Sequence, residues 1–158
     1  MDGKTHGLIT VTLVPAAAGI VGVGTGVLTY GVAAAIGCAF GLLLEPDLDV
    51  DHITASENRL LTSKWLWLFG GLWFLFWLPY AKLMPHRSFF SHFPIVGTAI
   101  RLAYLILPVL GVLWIIGVTD NPFALLMRLP DNFLLWFFYG LVVSDLGHWV
   151  ADWSIWRR

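Results

Sequence analysis

The sequence predicts an all-α integral membrane domain: about four transmembrane helices plus an interfacial or re-entrant aromatic helical segment. Three observations lead there. The chain is 58% hydrophobic and only 12% charged, against roughly 25% charged in ordinary soluble domains. The stretches 7–44, 94–118 and 133–144 together hold a single charge, Arg101, and a bilayer core takes about 20 apolar residues per helix. The nine Trp and eleven Phe suit a chain rich in membrane–water boundary, where aromatic rings collect. A length of 158 residues is one domain's worth of protein, so 1–158 reads as a single helical membrane domain.

Residues 5–44 have the pattern of a helical hairpin. The first arm covers roughly 7–22 with Pro15 as a kink, and the second roughly 27–44. Gly22, Gly24 and Gly26 supply the turn between them; with no Lys-Ser/Thr ending they form no phosphate loop. Ala33, Gly37 and Gly41 recur every four residues, a small-residue ridge that lets helices approach closely in lipid. Cys38, the one cysteine, sits inside this arm as a small apolar filler. The start Met1-Asp2-Gly3-Lys4 lacks the net positive region of a secretory signal, so His6 is expected to stay in the protein. Pro46 ends the hairpin, and a polar stretch runs on to Lys64.

Residues 65–78 carry Trp65, Trp67, Trp73 and Trp77 along their whole length, with Gly70-Gly71 at the middle. Aromatics spread this way suit a helix lying in the interface, or a re-entrant pair broken at the glycines. A basic stretch follows, then a span over 94–118 kinked near Pro108 and a last span over about 132–151. The net charge of −1, with no basic stripe and no nucleic-acid motif, excludes a nucleic-acid partner. Membrane lipids are the expected partners, with other membrane subunits as a second class.

Metal-capable side chains fall in four clusters: His6; Asp47, Asp49, Asp51 and His52; His86 and His92; and Asp145, His148 and Asp152. A lone His at a helix start is usually a surface residue, and an acidic run after a helix is usually a solvated loop. The last cluster is harder to dismiss. Its 3- and 4-residue spacings put all three side chains on one helix face, at the end of an apolar span where ionisable groups are costly and usually serve a purpose. Topology then brings the clusters together. If 65–78 does not cross, the odd spans leave the face where His6 lies and the even spans return to it, so all four clusters meet there. On the same path Lys4, Arg59, Lys64, Lys82, Arg87, Arg157 and Arg158 share that face, Arg128 lies on the other, and Arg101 snorkels from within its span. The positive-inside rule makes the shared face and both termini cytoplasmic. Mixed His and carboxylate ligands without Cys suit a divalent metal, Zn²⁺ foremost and Fe²⁺ or Mn²⁺ next, as one or two ions.

The chain also resembles a known group of proteins. Lys4-Thr5-His6, Pro46-Asp47-Leu48-Asp49, Leu78-Pro79-Tyr80, Pro85-His86-Arg87-Ser88 with Ser91-His92, and His148-x-x-x-Asp152-Trp153 carry the resemblance. It is similar to the small uncharacterised membrane metal-binding proteins of bacteria, including cyanobacteria, and more loosely to the YdjM-like membrane-bound metal-dependent hydrolases. The resemblance implies metal positions at His6, Asp47, Asp49, His86, His92, His148 and Asp152, with Asp145 the next candidate and Asp51 and His52 outside the pattern. It also implies a bacterial inner or thylakoid-type membrane. Two functions fit. One is a metal-dependent hydrolase acting at the cytoplasmic interface on a lipid or phosphoester, with Asp145 or Asp51 as base and Arg87 as anion partner. The other is a non-enzymatic, metal-stabilised structural or assembly subunit of a larger membrane complex.

Overall fold

The computed structural model describes residues 3–156 and is helical, with no strand among the described residues. The chain order is α1 (Gly3–Thr25), α2 (Leu28–Phe40), a 3₁₀ turn (Pro46–Asp49), α3 (Ala55–Thr62), α4 (Trp67–Leu83), α5 (Phe89–His92), α6 (Pro94–Ile115), α7 (Phe123–Leu126) and α8 (Phe133–Trp156). Three of these helices, over Thr5–Thr25, Pro94–Ile115 and Phe133–Asp152, are long and apolar enough to cross a membrane. Their outward faces keep large apolar side chains exposed, among them Ile20, Val23, Val112, Ile115, Leu135 and Val150. That composition is compatible with membrane association, because lipid tails favour such a surface as water does not.

The fourth expected span is shorter than the sequence implied. Helix α2 has 13 residues, about 20 Å at roughly 1.5 Å per residue. The expected arm to residue 44 winds tighter after Phe40. The Gly41 amide is shared between the Gly37 and Cys38 carbonyls, and Leu42 and Leu43 bond three residues back, to Ala39 and Phe40. This 3₁₀ narrowing leads into Pro46, which opens the next turn without an amide to donate. The preceding turn is also more compact than the three-glycine cluster suggested. Helix α1 continues through Gly22 and Gly24, and only Gly26 takes a positive φ, 69°.

Helices α1, α2 and α8 pack mutually, and α6 adds to α8. The α2–α8 contact is close because both sides offer glycine. A methyl on Gly37 would fall on the Phe137 carbonyl, and one on Gly140 would fall on the Ala34 carbonyl. Gly41, the next small residue on that ridge, leaves room for the Ser144 side chain. Alternating chain direction puts the start of α1, the end of α2, the start of α6 and the end of α8 at one end of the bundle.

Two features of 52–83 refine the sequence expectation, the second by deciding between one helix and a pair broken at the glycines. The polar stretch contains α3, opened by a capping box in which the Thr54 side chain accepts from the Glu57 amide and the Glu57 carboxylate accepts from the Thr54 amide. The aromatic segment is one helix, unbroken at Gly70-Gly71. Gly70 does not break it because its bare Cα is a packing site: a methyl there would lie 2.8 Å from Leu60 and Leu61 of α3. Helix α4 thus packs on α3 and on the 3₁₀ turn. Its Trp73, Trp77 and Tyr80 enter a core with Leu44, Leu48, Leu60 and Leu141, and the Phe76 carbonyl accepts from the Tyr104 hydroxyl at 2.9 Å.

The glycine contacts make a direct expectation. Gly37→Val and Gly140→Val should each lower stability by at least about 1–3 kcal/mol, the usual range for overpacking, and by more where backbone must part. Gly111→Ala, with nothing within 4 Å of the added methyl, should leave it unchanged or slightly raised. Thermal unfolding in detergent micelles reads all three. Equal midpoints would refute the close α2–α8 contact.

Candidate metal centre

The bundle end where those four helix termini gather also gathers the ionisable residues. His6 lies one turn into α1, Asp47 and Asp49 are on the 3₁₀ turn, and His86 and His92 flank and close the short α5. His148 and Asp152 share one face of the last turns of α8. Each local structure fixes a side chain. Pro46 starts the 3₁₀ turn that lifts Asp47 and Asp49 off α2, and the Ser88 side chain caps α5 by accepting from the Ser91 amide.

Asp47 is the centre of the group. Its carboxylate lies 3.7 Å from His92 Nε2, 3.5 Å from His148 Nε2 and 4.0 Å from His6 Nδ1. Asp152 lies 3.1 Å from His6 Nε2 and 3.5 Å from His148 Nε2. Beside this cup, Asp49 Oδ1 is 2.7 Å from His86 Nδ1, and Asp49 Oδ2 is 3.3 Å from His92 Nδ1. The rings of His6 and His148 pack with centroids 3.9 Å apart. Three trios can each bring one ligand atom per residue within 4.8 Å of the others: His6, Asp47 and His148; His92, His148 and Asp152; and Asp49, His86 and His92.

The chemistry of this set fits a divalent cation. Both ring nitrogens of His6, and Nε2 of His92 and of His148, are buried without a hydrogen-bond partner. Buried polar atoms are nearly always satisfied, and here the unsatisfied ones face carboxylates at 3.1–4.0 Å, mostly beyond hydrogen-bond length. A cation between them would satisfy nitrogen lone pairs and carboxylate charge together. The electrostatics agree. Burial pushes the Asp47 carboxyl up, but the His148 and His92 rings outweigh it and hold the group below the ordinary carboxylate range. Burial likewise raises Asp49, and its contacts with His92, His86 and Ser91 pull it lower. Burial favours neutral His92, yet the Asp47 and Asp49 carboxylates raise its pKa above the ordinary value.

All seven residues singled out by sequence therefore lie at this end, in contact with at least one other of the set. His52 and Asp51 do not join them: they pair only with each other, at 4.0 Å, and are 76% and 80% exposed. Asp145 was expected as an additional partner at the ion, or as a base. It is instead committed below the site, where its Oδ2 receives Arg101 and Thr98. Arg101 was expected to snorkel. It is 1% exposed and turns inward, because Asp145 and the Ser91 carbonyl together satisfy the guanidinium. Sequence reading missed two supporting groups. Ser91 places its Oγ 3.0 Å from His92 Nδ1, and buried Glu45 accepts from Ser56. Only the isolated charge at Arg101 gave a signal that a buried network existed. Lys4 (as a side chain), Arg157 and Arg158, which shaped the expected charge bias, lie outside the described residues.

An open cavity of about 520 Å³ adjoins the cup, lined by Asp49, Val50, Asp51, His52, Ala81, Lys82, Met84 and His86. It opens beside His86, which is 43% exposed while His6, His92 and His148 are 10% or less.

Two outcomes follow for the metal. His148→Ala or Asp152→Ala should remove most bound metal by inductively coupled plasma mass spectrometry, and His52→Ala little. Equal metal content in all three would exclude the cup as the site. Binding should also release protons, because the Asp47 and Asp49 carboxylates raise the His92 pKa above its ordinary value and a ligand must be deprotonated. Affinity then rises with pH until His92 has lost its proton, by up to about tenfold per unit for each proton released. A chromophoric chelator competing for the metal measures this, and a flat profile would contradict the His92 assignment.

No curated protein and no solved structure matches the chain. The sequence profile of one family, described as "uncharacterized metal-binding protein (DUF2227)", matches residues 1–158. With the match running the whole length and a cup of His and Asp residues suited to a cation, the chain belongs to this family of uncharacterised metal-binding proteins.

Proposed function

We propose that the protein is an integral membrane, metal-dependent hydrolase whose site faces the cytoplasmic headgroup region and acts on a lipid or phosphoester. The observation that carries this reading is the open cavity against Asp49 and His86, at the end of helices long and apolar enough to span. A purely structural ion needs no vacancy beside it, whereas a hydrolytic one needs a place for the substrate. The lining has the right character for an anionic group: Lys82 supplies a cation, His86 and His52 supply ring nitrogens, and Ala81 and Met84 form an apolar wall. The basic residues Arg59, Lys82 and Arg87 belong to this end, while Arg128 follows α7 at the other. This bias supports a cytoplasmic site in a bacterial inner or thylakoid-type membrane.

The ion, Zn²⁺ foremost by its thiolate-free His and Asp donors and Fe²⁺ or Mn²⁺ next, would supply Lewis acidity toward a phosphoryl or carbonyl oxygen. His6, Asp47, His92, His148 and Asp152 would hold it. Lys82 binds the substrate's charge, and His86, steadied by Asp49, can hold or pass a proton at the cavity wall. Asp145 takes no part in proton transfer, since Arg101 occupies it and the bundle encloses it.

A second reading has its own observation. The cup joins α1 to α8, the two ends of the described chain, so an ion there would also tie the fold as in a non-enzymatic structural or assembly subunit. One experiment separates the two. Metal-loaded protein in nanodiscs is assayed against phosphate monoesters, diesters and phospholipids, with thermal unfolding followed before and after chelation. Metal-dependent turnover, lost in Asp152→Ala and weakened chiefly in KM by Lys82→Ala, is expected. A large fall in the unfolding midpoint on chelation with no turnover of any ester would replace the hydrolase with the structural subunit.

A further inference from the structure

The cup and the Asp49 group differ in the spacing of their atoms. A tetrahedral shell with bonds of about 2.0–2.1 Å sets neighbouring ligand atoms about 3.3 Å apart. His6–Asp152 at 3.1 Å, His148–Asp47 and His148–Asp152 at 3.5 Å, and His92–Asp47 at 3.7 Å scatter around that value, with His6–Asp47 longer at 4.0 Å; His92–Asp49 at 3.3 Å also matches it, but through Nδ1, the nitrogen opposite the one turned to the cup. His86–Asp49 at 2.7 Å does not. It is the length of a charge-assisted hydrogen bond, too short for two donors on one ion.

The nitrogens involved differ as well. His86 and His92 both turn Nδ1 to Asp49, whereas His92 and His148 turn Nε2 to Asp47. The Asp49 carboxylate has no exposed surface and no oxygen to spare. Oδ1 takes the His86 ring, and Oδ2 takes the Arg87 amide at 3.1 Å with His92 Nδ1 beside it. That amide is presented by a left-handed Arg87, φ 58°, a conformation that a non-glycine residue adopts only when its surroundings hold it there.

We infer that Asp49 is not a metal ligand but the buried outer carboxylate that fixes the orientation and tautomer of His86 and His92. His92 is thereby left to offer Nε2 to the cup. His86 then belongs to the cavity wall and not to the ion, and the protein holds one metal per chain. Carboxylate–imidazole–metal relays of this kind orient ligands and raise their basicity. This assignment rests on metal binding and not on hydrolysis, so it can fail while the hydrolase reading stands, or the reverse.

The test counts ions and looks at the metal's own spectrum. Wild type, Asp49→Asn, His86→Gln and Asp47→Asn are loaded with Co²⁺, desalted, and measured for Co²⁺ per chain and for visible d–d absorption. Wild type should hold one ion. Asp49→Asn should still hold one, with roughly 10–100-fold weaker affinity and a shifted spectrum, because the His92 tautomer is no longer enforced. His86→Gln should hold one with the spectrum nearly unchanged, and Asp47→Asn should lose it. Two ions in the wild type overturn the inference without any variant, so a misfolded Asp49→Asn protein does not rescue it. One ion in the wild type and none in folded His86→Gln would overturn it equally.

Discussion

A handful of buried nitrogens and carboxylates that cannot satisfy one another governs this molecule. His6, His92 and His148 bury ring nitrogens with no hydrogen-bond partner, facing Asp47 and Asp152 at distances that suit a shared cation better than each other. Burying polar groups this way costs free energy unless something compensates. The carboxylates compensate in part through their pairing with the rings, and a divalent metal would suit the whole donor set. Metal binding of this kind is folding free energy, since the ligands are scattered in the unfolded chain. His6 and Asp152 are joined only once α1, α2 and α8 have packed, so the close glycine contacts of Gly37 and Gly140 are prerequisites of the site.

Below the cup, a buried pair turns this local demand into a property of the bundle. Arg101 of α6 reaches Asp145 of α8 and the carbonyl of Ser91, whose hydroxyl lies beside the His92 ring. Breaking such a pair by removing one partner typically costs about 3–5 kcal/mol, because the survivor is left charged and buried. The pair therefore anchors α6 to α8 at the depth where α5 must deliver His92. A charge inside an apolar span, costly in isolation, is tolerated because its partner and its job lie on the neighbouring helix.

Most of the fold was legible in the sequence because its driving patterns are local. Apolar runs, Pro46 and the small-residue ridge each act within one turn or one helix. The late His148-x-x-x-Asp152 pattern was legible for the same reason, since helix periodicity alone aligns its members. Helix ends were less so. The early tightening of α2 after Phe40 depends on Gly41 meeting Ser144 of a helix about a hundred residues later, and no short window contains that contact. Gly70-Gly71 failed as a helix breaker for a like reason: glycine weakens an isolated helix, but close packing of α3 on α4 repays the loss. Asp145 and Arg101 misled because each was read alone, one as a spare ligand and the other as a snorkelling charge. Neither reading survives their being neighbours.

Position relative to the apolar helices also constrains what chemistry the site can do. Three of its histidines are closed in by helices, and an open cavity lies on the Asp49–His86 side. A group in that cavity meets Lys82 and His86 at its wall. The exposed aromatic side of α4, with Trp67, Leu72 and Leu75 outward while Trp73 and Trp77 pack inward, continues the apolar surface toward the cavity mouth at Lys82. On the proposed hydrolase reading, a substrate with an apolar tail would keep its chain against that surface while its polar end enters, which favours an amphiphilic ester over a fully soluble one within that proposal.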